Sequence, residues 1–208
     1  RNDDWNRRID LRNLRENTAG TIVETQGFIN ELEFPELVTN NGTIVNNAAS
    51  LYHLSLPKLK TSTGTICSNC NKLTILDIPE LETSTGWSVF YNCSFPKIVT
   101  FSKLSTLTRP NFGYVSNVEE LNFPSLSSTQ FGQETTFSYC NELIRFSASI
   151  TNESNNNYYE VNFLSHNKKL KIINIPKFTG IRNFNGMMTF VENPVSAFIN
   201  GNYIAILM

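Results

Sequence analysis

The sequence predicts a solenoid: about eight similar coils of 22–27 residues, stacked so that one short strand from each joins a parallel β-sheet on the concave face. Three observations carry this reading. One apolar phrase recurs at nearly constant spacing, apolar residues inside it alternate, and the composition disfavours long helices. The phrase reads IxxLEFPEL (29–37), LxxLSLPKL (51–59), LxxLDIPEL (73–81), VxxLNFPSL (118–126) and LxxINIPKF (170–178). Degenerate copies are PxxVTFSKL (96–104) and LxxFSASIT (143–151), and IDLRNL (9–14) opens the series. Anchored on the proline column, the copies align Arg12, Pro35, Pro57, Pro79, Ser102, Pro124, Ser149 and Pro176, at steps of 23, 22, 22, 23, 22, 25 and 27 residues. A fixed period of this size marks a repeat array.

Each copy carries apolar residues six, three and one places before the anchor and two after it. The inner pair alternates, as Leu76 and Ile78 do around Asp77, which is the pattern of a short strand with one buried face. Proline then ends the strand, because it has no N–H for a ladder and restricts the residue before it. A unit with one such strand cannot hide its apolar edge alone, whereas stacked neighbours can. Twelve places before the anchor stand Val23, Val45, Cys67, Phe90, Phe112, Phe137 and Leu164; nine before stand Gln26, Ala48, Cys70, Cys93, Val115, Cys140 and Asn167. The spacing Cys67-x-x-Cys70, which elsewhere signals zinc or redox chemistry, therefore reads as two framework columns. Buried cysteine behaves as a small hydrophobe, and no cofactor or metal is expected.

The ends depart from the repeat. Residues 195–199 and 202–207 read as two strands around Asn200-Gly201, a pair that tolerates the positive φ of a type I′ turn. Such a hairpin would cover the last open edge. The predicted organisation is an N-terminal cap over 1–8, with Trp5 as its apolar plug, a continuous array over 9–194, and a C-terminal hairpin cap over 195–208. An insertion over 151–160, TNESNNNYYE, lengthens one coil and carries adjacent tyrosines.

Composition excludes several classes of function. With 17 basic and 18 acidic residues the net charge is −1, so no broad field favours nucleic acid or an anionic membrane. No apolar run approaches the roughly 18 residues of a membrane span, and four cysteines are too few for a disulfide scaffold. The 28 asparagines, with abundant serine and threonine, favour turns and side-chain-to-backbone hydrogen bonds over helix interiors. The chain opens RNDDWNRR, without an initiator methionine or a signal-peptide core, and reads as a trimmed or processed piece.

Alternation leaves two outward columns on the predicted sheet. The one four places before the anchor holds Glu31, His53, Ile75, Ile98, Glu120 and Arg145; the one two places before includes Asp77. These residues, together with Tyr158 and Tyr159 of the inserted loop, are the candidate binding set, since long loops with aromatic residues often serve recognition. After the anchor, Glu36, Lys58, Glu80 and Lys103 alternate in sign, which helps fix register between coils.

The pattern F-x-x-C-x-x-L-x-x-[LIV]-x-[LIF]-P-x-L, carried by Phe90 and Cys93 and by Phe137, Cys140 and Leu143, resembles the BspA-like leucine-rich repeats of bacterial surface and secreted proteins. Serine in place of proline at 102 and 149, and Pro96 in place of the first leucine, depart from it. The resemblance implies a leucine-rich-repeat solenoid without catalytic residues, secreted or at the cell surface, working as an adhesion or binding module for a host or neighbouring-cell surface protein or glycan. The expected state is a monomer without membrane insertion. Two alternatives remain: a structural spacer in a larger surface protein, and a parallel β-helix carbohydrate-active enzyme. The latter should show three strand phrases per coil, whereas only LxxLxLP is regular. Its acids are scattered, with Glu33, Asp77 and Glu120 in different coils; a column placing Glu31 and Glu33 near Asp10 is possible, yet single carboxylates at outward strand positions are commonplace.

Overall fold

A computed structural model describes residues 8–24, 28–108, 112–130, 137–150, 164–177, 195–199 and 202–206. The first coil runs through β1 (Arg8–Asp10), β2 (Glu16–Asn17) and β3 (Thr21–Glu24), and the second through β4 (Glu31–Glu33), β5 (Thr39–Asn40) and β6 (Thr43–Asn46). The third holds β7 (His53–Ser55), β8 (Thr61–Ser62) and β9 (Cys67–Ser68); the fourth holds β10 (Ile75–Asp77), β11 (Thr83–Ser84) and β12 (Phe90–Tyr91). The fifth has β13 (Ile98–Thr100) and β14 (Thr106–Thr108), the sixth β15 (Glu120–Phe123) and β16 (Ser128–Gln130). Then come β17 (Arg145–Ala148), β18 (Ile172–Ile175), β19 (Val195–Ile199) and β20 (Asn202–Ile206). Eight strands occupy the expected anchor column, but among the described residues only the first six coils carry a second strand, so the regular part is about six turns.

The chain is a parallel β-solenoid with three sides, and no helix occurs among the described residues. None is therefore long and apolar enough to cross a membrane. The first side is the expected sheet, β1-β4-β7-β10 followed by β13-β15-β17-β18-β19-β20. The second side, β16-β14-β11-β8-β5-β2, and the third, β12-β9-β6-β3, were not legible as strand phrases. Three strand columns thus exist through the first four coils, so the regularity of a single strand phrase in the sequence does not separate this chain from a parallel β-helix. The reason lies in their length: Thr39–Asn40, Thr61–Ser62 and Thr83–Ser84 are two residues each, too short to show alternation.

Local chemistry fixes the corners. Pro35 and Pro57 sit at the second position of tight turns in which the N–H of Leu37 bonds Phe34 O (3.3 Å) and that of Leu59 bonds Leu56 O (3.2 Å). At the start of the second side's inner edge an amide ladder runs through the core. Asn17 Nδ2 donates to Asn40 Oδ1 (2.7 Å), and Asn40 Nδ2 donates to Ser62 Oγ (3.0 Å) and Thr65 O (3.1 Å). Ser84 is next in register, and its buried hydroxyl has no partner among the described residues. Glycines then pass close together: a Cβ at Gly64 would lie 1.9 Å from Gly42 O.

The core is leucine-rich through the first three coils and ring-rich from Phe90 in the fourth onward. Phe90, Phe95, Phe101, Phe112, Phe123, Phe137 and Phe146 form one buried cluster. At the far end β19 pairs parallel with β18 and antiparallel with β20, the hairpin expected from Asn200-Gly201. Those two residues, Trp5 and the rest of residues 1–7 lie outside the described residues.

Candidate binding face

The outward columns of the first side align as the repeat requires. Glu31 lies opposite His53 and His53 opposite Ile75, while Ile98 lies opposite Glu120 and Glu120 opposite Arg145. Between these positions the inward residues Leu32, Leu54, Leu121 and Phe146 are buried, which holds each neighbour outward. Ile75 is 47% exposed and Ile98 64%, values high for isoleucine on a sheet. Arg145 and Asp77 are exposed and Glu31, His53 and Glu120 half-buried. Tyr158 and Tyr159 lie outside the described residues, so the structure does not place them.

Several acidic groups on this face are already engaged. Tyr52 donates its hydroxyl to Glu31, and that hydrogen bond raises the tyrosine pKa. Ser55 Oγ donates to Asp77 Oδ2 (3.1 Å), and Asn122 Nδ2 donates to Glu120 Oε1 (3.0 Å). The expected alternation of charge behind the anchor is also present, with Lys58 Nζ 2.6 Å from Glu36 and Lys103 Nζ 2.6 Å from Glu80.

Two hollows open along the first side. Its sheet is interrupted between β10 and β13, where no ladder forms, although the second side continues from β11 to β14. A cleft of about 150 Å³ lies there, lined by Leu76, Asp77, Val99 and Thr100. Leu76 is only partly buried at this seam, unlike Leu32 and Leu54 in the same column. A second, wider hollow of about 530 Å³ is lined by Ile172, Asn174, Ser196 and Phe198. Ile75 and Ile98 stand on the two strands that face each other across the seam.

One surface feature escaped the sequence reading. Ten places before the anchor, Asn47, Asn69, Asn92, Tyr114, Tyr139 and His166 all adopt positive φ, between 51° and 60°. Asparagine tolerates this conformation, and here the amides link coil to coil: Asn69 Nδ2 to Asn47 Oδ1 (3.0 Å) and Asn92 Nδ2 to Asn69 Oδ1 (2.9 Å). Rings then take over the same corner. Tyr114 stacks on Tyr139 at 4.5 Å and Tyr139 on His166 at 4.2 Å, with Tyr91 edge-on to Tyr114. The strained backbone is compensated by ring stacking in place of amide bonds.

The cysteines occupy the expected columns. Cys67 pairs in register with Val45 and Phe90, and all four thiols are free and buried. The convergence of three of them was not foreseen. Cys67 Sγ and Cys93 Sγ are 3.5 Å apart, and with Cys70 they form a triad whose sulfurs all lie within 4.8 Å of one another. S–H donation from Cys67 and Cys93 lowers the Cys70 pKa, while the hydrogen bond to Cys70 raises that of Cys67 and burial raises that of Cys93, as burial also pushes Cys140, which lies outside the triad, up to about 12.

A stack of near-identical coils with exposed columns and no built catalytic constellation among its described residues is a repeat scaffold of the kind that presents a binding surface. The BspA type leucine-rich-repeat model matches residues 25–119 and 64–185, with six copies, and the chain belongs to that family. No curated protein and no solved structure matches it.

Proposed function

We propose that this chain is a non-enzymatic binding module of a cell-surface or secreted protein, recognising a protein partner through the outward face of its first side. The observation that carries the proposal is the pair Ile75 and Ile98, exposed at 47% and 64% on either side of the seam and bordered by Asp77, Glu120 and Arg145. Apolar residues at the centre of a patch with a charged rim match the anatomy of protein interfaces. The carboxylates of Glu31, Asp77 and Glu120 lie in three different coils and each accepts a hydrogen bond, Glu31 and Asp77 from an adjacent coil and Glu120 from Asn122 on its own strand, as structural surface carboxylates do, rather than forming the acid-base pair of a glycosidase.

The test uses the full chain immobilised against whole cells and purified extracellular-matrix proteins. The double variant Ile75→Ser/Ile98→Ser and the double reversal Glu120→Arg/Arg145→Glu should each reduce capture about tenfold or more, the loss of one hot-spot contribution. Val38→Ser, at an exposed position away from the face, should not. Equal capture by all three variants and the parent would favour the spacer reading.

A further inference from the structure

We propose that Cys67, Cys70 and Cys93 form a buried three-coordinate site for one soft monovalent cation, chemically Cu(I). The sulfurs come from two successive coils: Cys67 from β9, Cys70 just after it, and Cys93 just after β12. Cys70 and Cys93 share one column and Cys67 belongs to another, yet stacking brings Cys93 diagonally over Cys67 at 3.5 Å, and all three sulfurs lie within 4.8 Å of one another. An ion with metal–sulfur bonds of about 2.3 Å at the centre of a sulfur triangle sets its donors roughly 4 Å apart, so small side-chain shifts suffice. This third sulfur is what the C-x-x-C spacing alone lacked.

Ligand softness and coordination number select the ion. Thiolate ligands favour Cu(I), Zn(II) and iron–sulfur clusters over hard cations. Structural zinc requires four donors, but no histidine or carboxylate joins the triad among the described residues. The three cysteines are exposed by 0%, 0% and 1%, so a water is poorly placed to complete a tetrahedron. A trigonal d10 monocation needs only the three sulfurs present. Each sulfur that ligates as thiolate releases its proton to solvent. Cys140 provides the internal control, because its sulfur lies in the same column as Cys93 but donates to backbone oxygens, Phe112 O (3.4 Å) and Ser138 O (3.8 Å), and belongs to no such cluster among the described residues.

Access to so buried a site is settled by loading during folding. The full chain is refolded from denaturant without oxygen in the presence of Cu(I) held by a competing chelator, then freed of excess ion by gel filtration. The expected result is about one copper per chain, a near-ultraviolet thiolate-to-copper absorption band and a higher unfolding midpoint, since binding to the folded state alone is stabilising. Cys67→Val, which installs the residue found at Val23 and Val45, should fold and lose the ion. Cys93→Val, matching Val115, gives a second reading if the first variant folds poorly. Cys140→Val should retain the copper. Refolded parent without copper, retention unchanged in both triad variants, or equal loss in Cys140→Val would overturn the proposal. So would mass analysis of alkylated peptides finding Cys67 and Cys93 joined as a disulfide in the isolated protein.

Discussion

Phe112→Ala should be the most damaging single truncation in the array. The Phe112 ring is 1% exposed and touches five others: Phe90 at 5.2 Å, Phe95 at 6.2 Å, and Phe101, Phe123 and Phe137 at 5.4 Å. Truncating a buried phenylalanine costs about 3–5 kcal/mol through lost transfer energy and the cavity left behind. Aromatic pairs add roughly 0.5–1.5 kcal/mol each, not additively, which places this site near 5 kcal/mol, at the upper end of that range. Phe112→Leu, which retains most of the volume and none of the ring pairing, should lose about 1.5 kcal/mol.

The position also decides how the chain unfolds. Phe112 joins ring contacts of the fourth coil to those of the sixth, beside the seam where the first side's ladder is interrupted. In a solenoid each unit is held by its neighbours, so weakening one interface uncouples the two halves. Urea unfolding of the variant, followed by far-ultraviolet circular dichroism and by tyrosine fluorescence, should show a lower m value or two separated transitions. A loss below about 2 kcal/mol with one sharp transition and an unchanged m value would refute both the packing and the coupling argument.

Other consequences follow from the inner edge and the surface. Asn40→Ala removes one hydrogen-bond partner each from Asn17, Ser62 and Thr65, which keep Thr43 O, Gly64 O and the Ile44 N–H respectively, and should cost about 1–2 kcal/mol, whereas Ser84→Ala removes a hydroxyl with no partner among the described residues and should be neutral or stabilising by up to about 1 kcal/mol; urea midpoints read both. Gly64→Ala forces a Cβ to within 1.9 Å of Gly42 O, so thermal unfolding should report a loss of about 3 kcal/mol from backbone displacement. Hydrogen bonding from Lys58 lowers the Glu36 pKa in the folded chain, so the pair's contribution is present above the unfolded carboxylate value of about 4.3 and is lost as pH falls through the lower folded value. Lys58→Ala should move the Glu36 titration midpoint upward when followed by NMR.

The anchor column was legible because its signal is redundant: Pro35, Pro57 and Pro79 each close a strand of alternating residues, and the resulting register set Glu31, His53 and Ile75 side by side as expected. The second and third sides were not, since a two-residue strand such as Thr61–Ser62 has no period to read. Their usable signal was the recurrence of T-N-N-G-T, T-S-T-G-T and T-S-T-G-W one coil apart. The ring stack was hidden differently. Asparagine at 47, 69 and 92 announces a left-handed corner, but Tyr114, Tyr139 and His166 share that corner without sharing a residue type, and the lengthened steps of 25 and 27 residues obscure the column. Column bookkeeping compares residues at equal positions, so it sets Cys70 beside Cys93 but misses Cys67, which meets Cys93 on a diagonal.

The seam shows how a departure in the repeat becomes a feature of the surface. Pro96 precedes β13 and supplies no N–H, and Ser102 removes the proline that closes the strand in neighbouring copies. Core content changes at the same place, from Val23, Val45 and Cys67 in one column to Phe90, Phe112 and Phe137. The second side spans the change from β11 to β14, and the first side parts. A perfectly regular solenoid would cover Leu76 as completely as Leu32 and Leu54; here it remains partly open beneath Ile75 and Ile98. Restoring proline at 102 and leucine at 96 should therefore draw β10 and β13 together, protecting their amides from hydrogen exchange and reducing capture if the seam supplies the binding surface. Closure without any change in capture would move the partner's footprint elsewhere on the array.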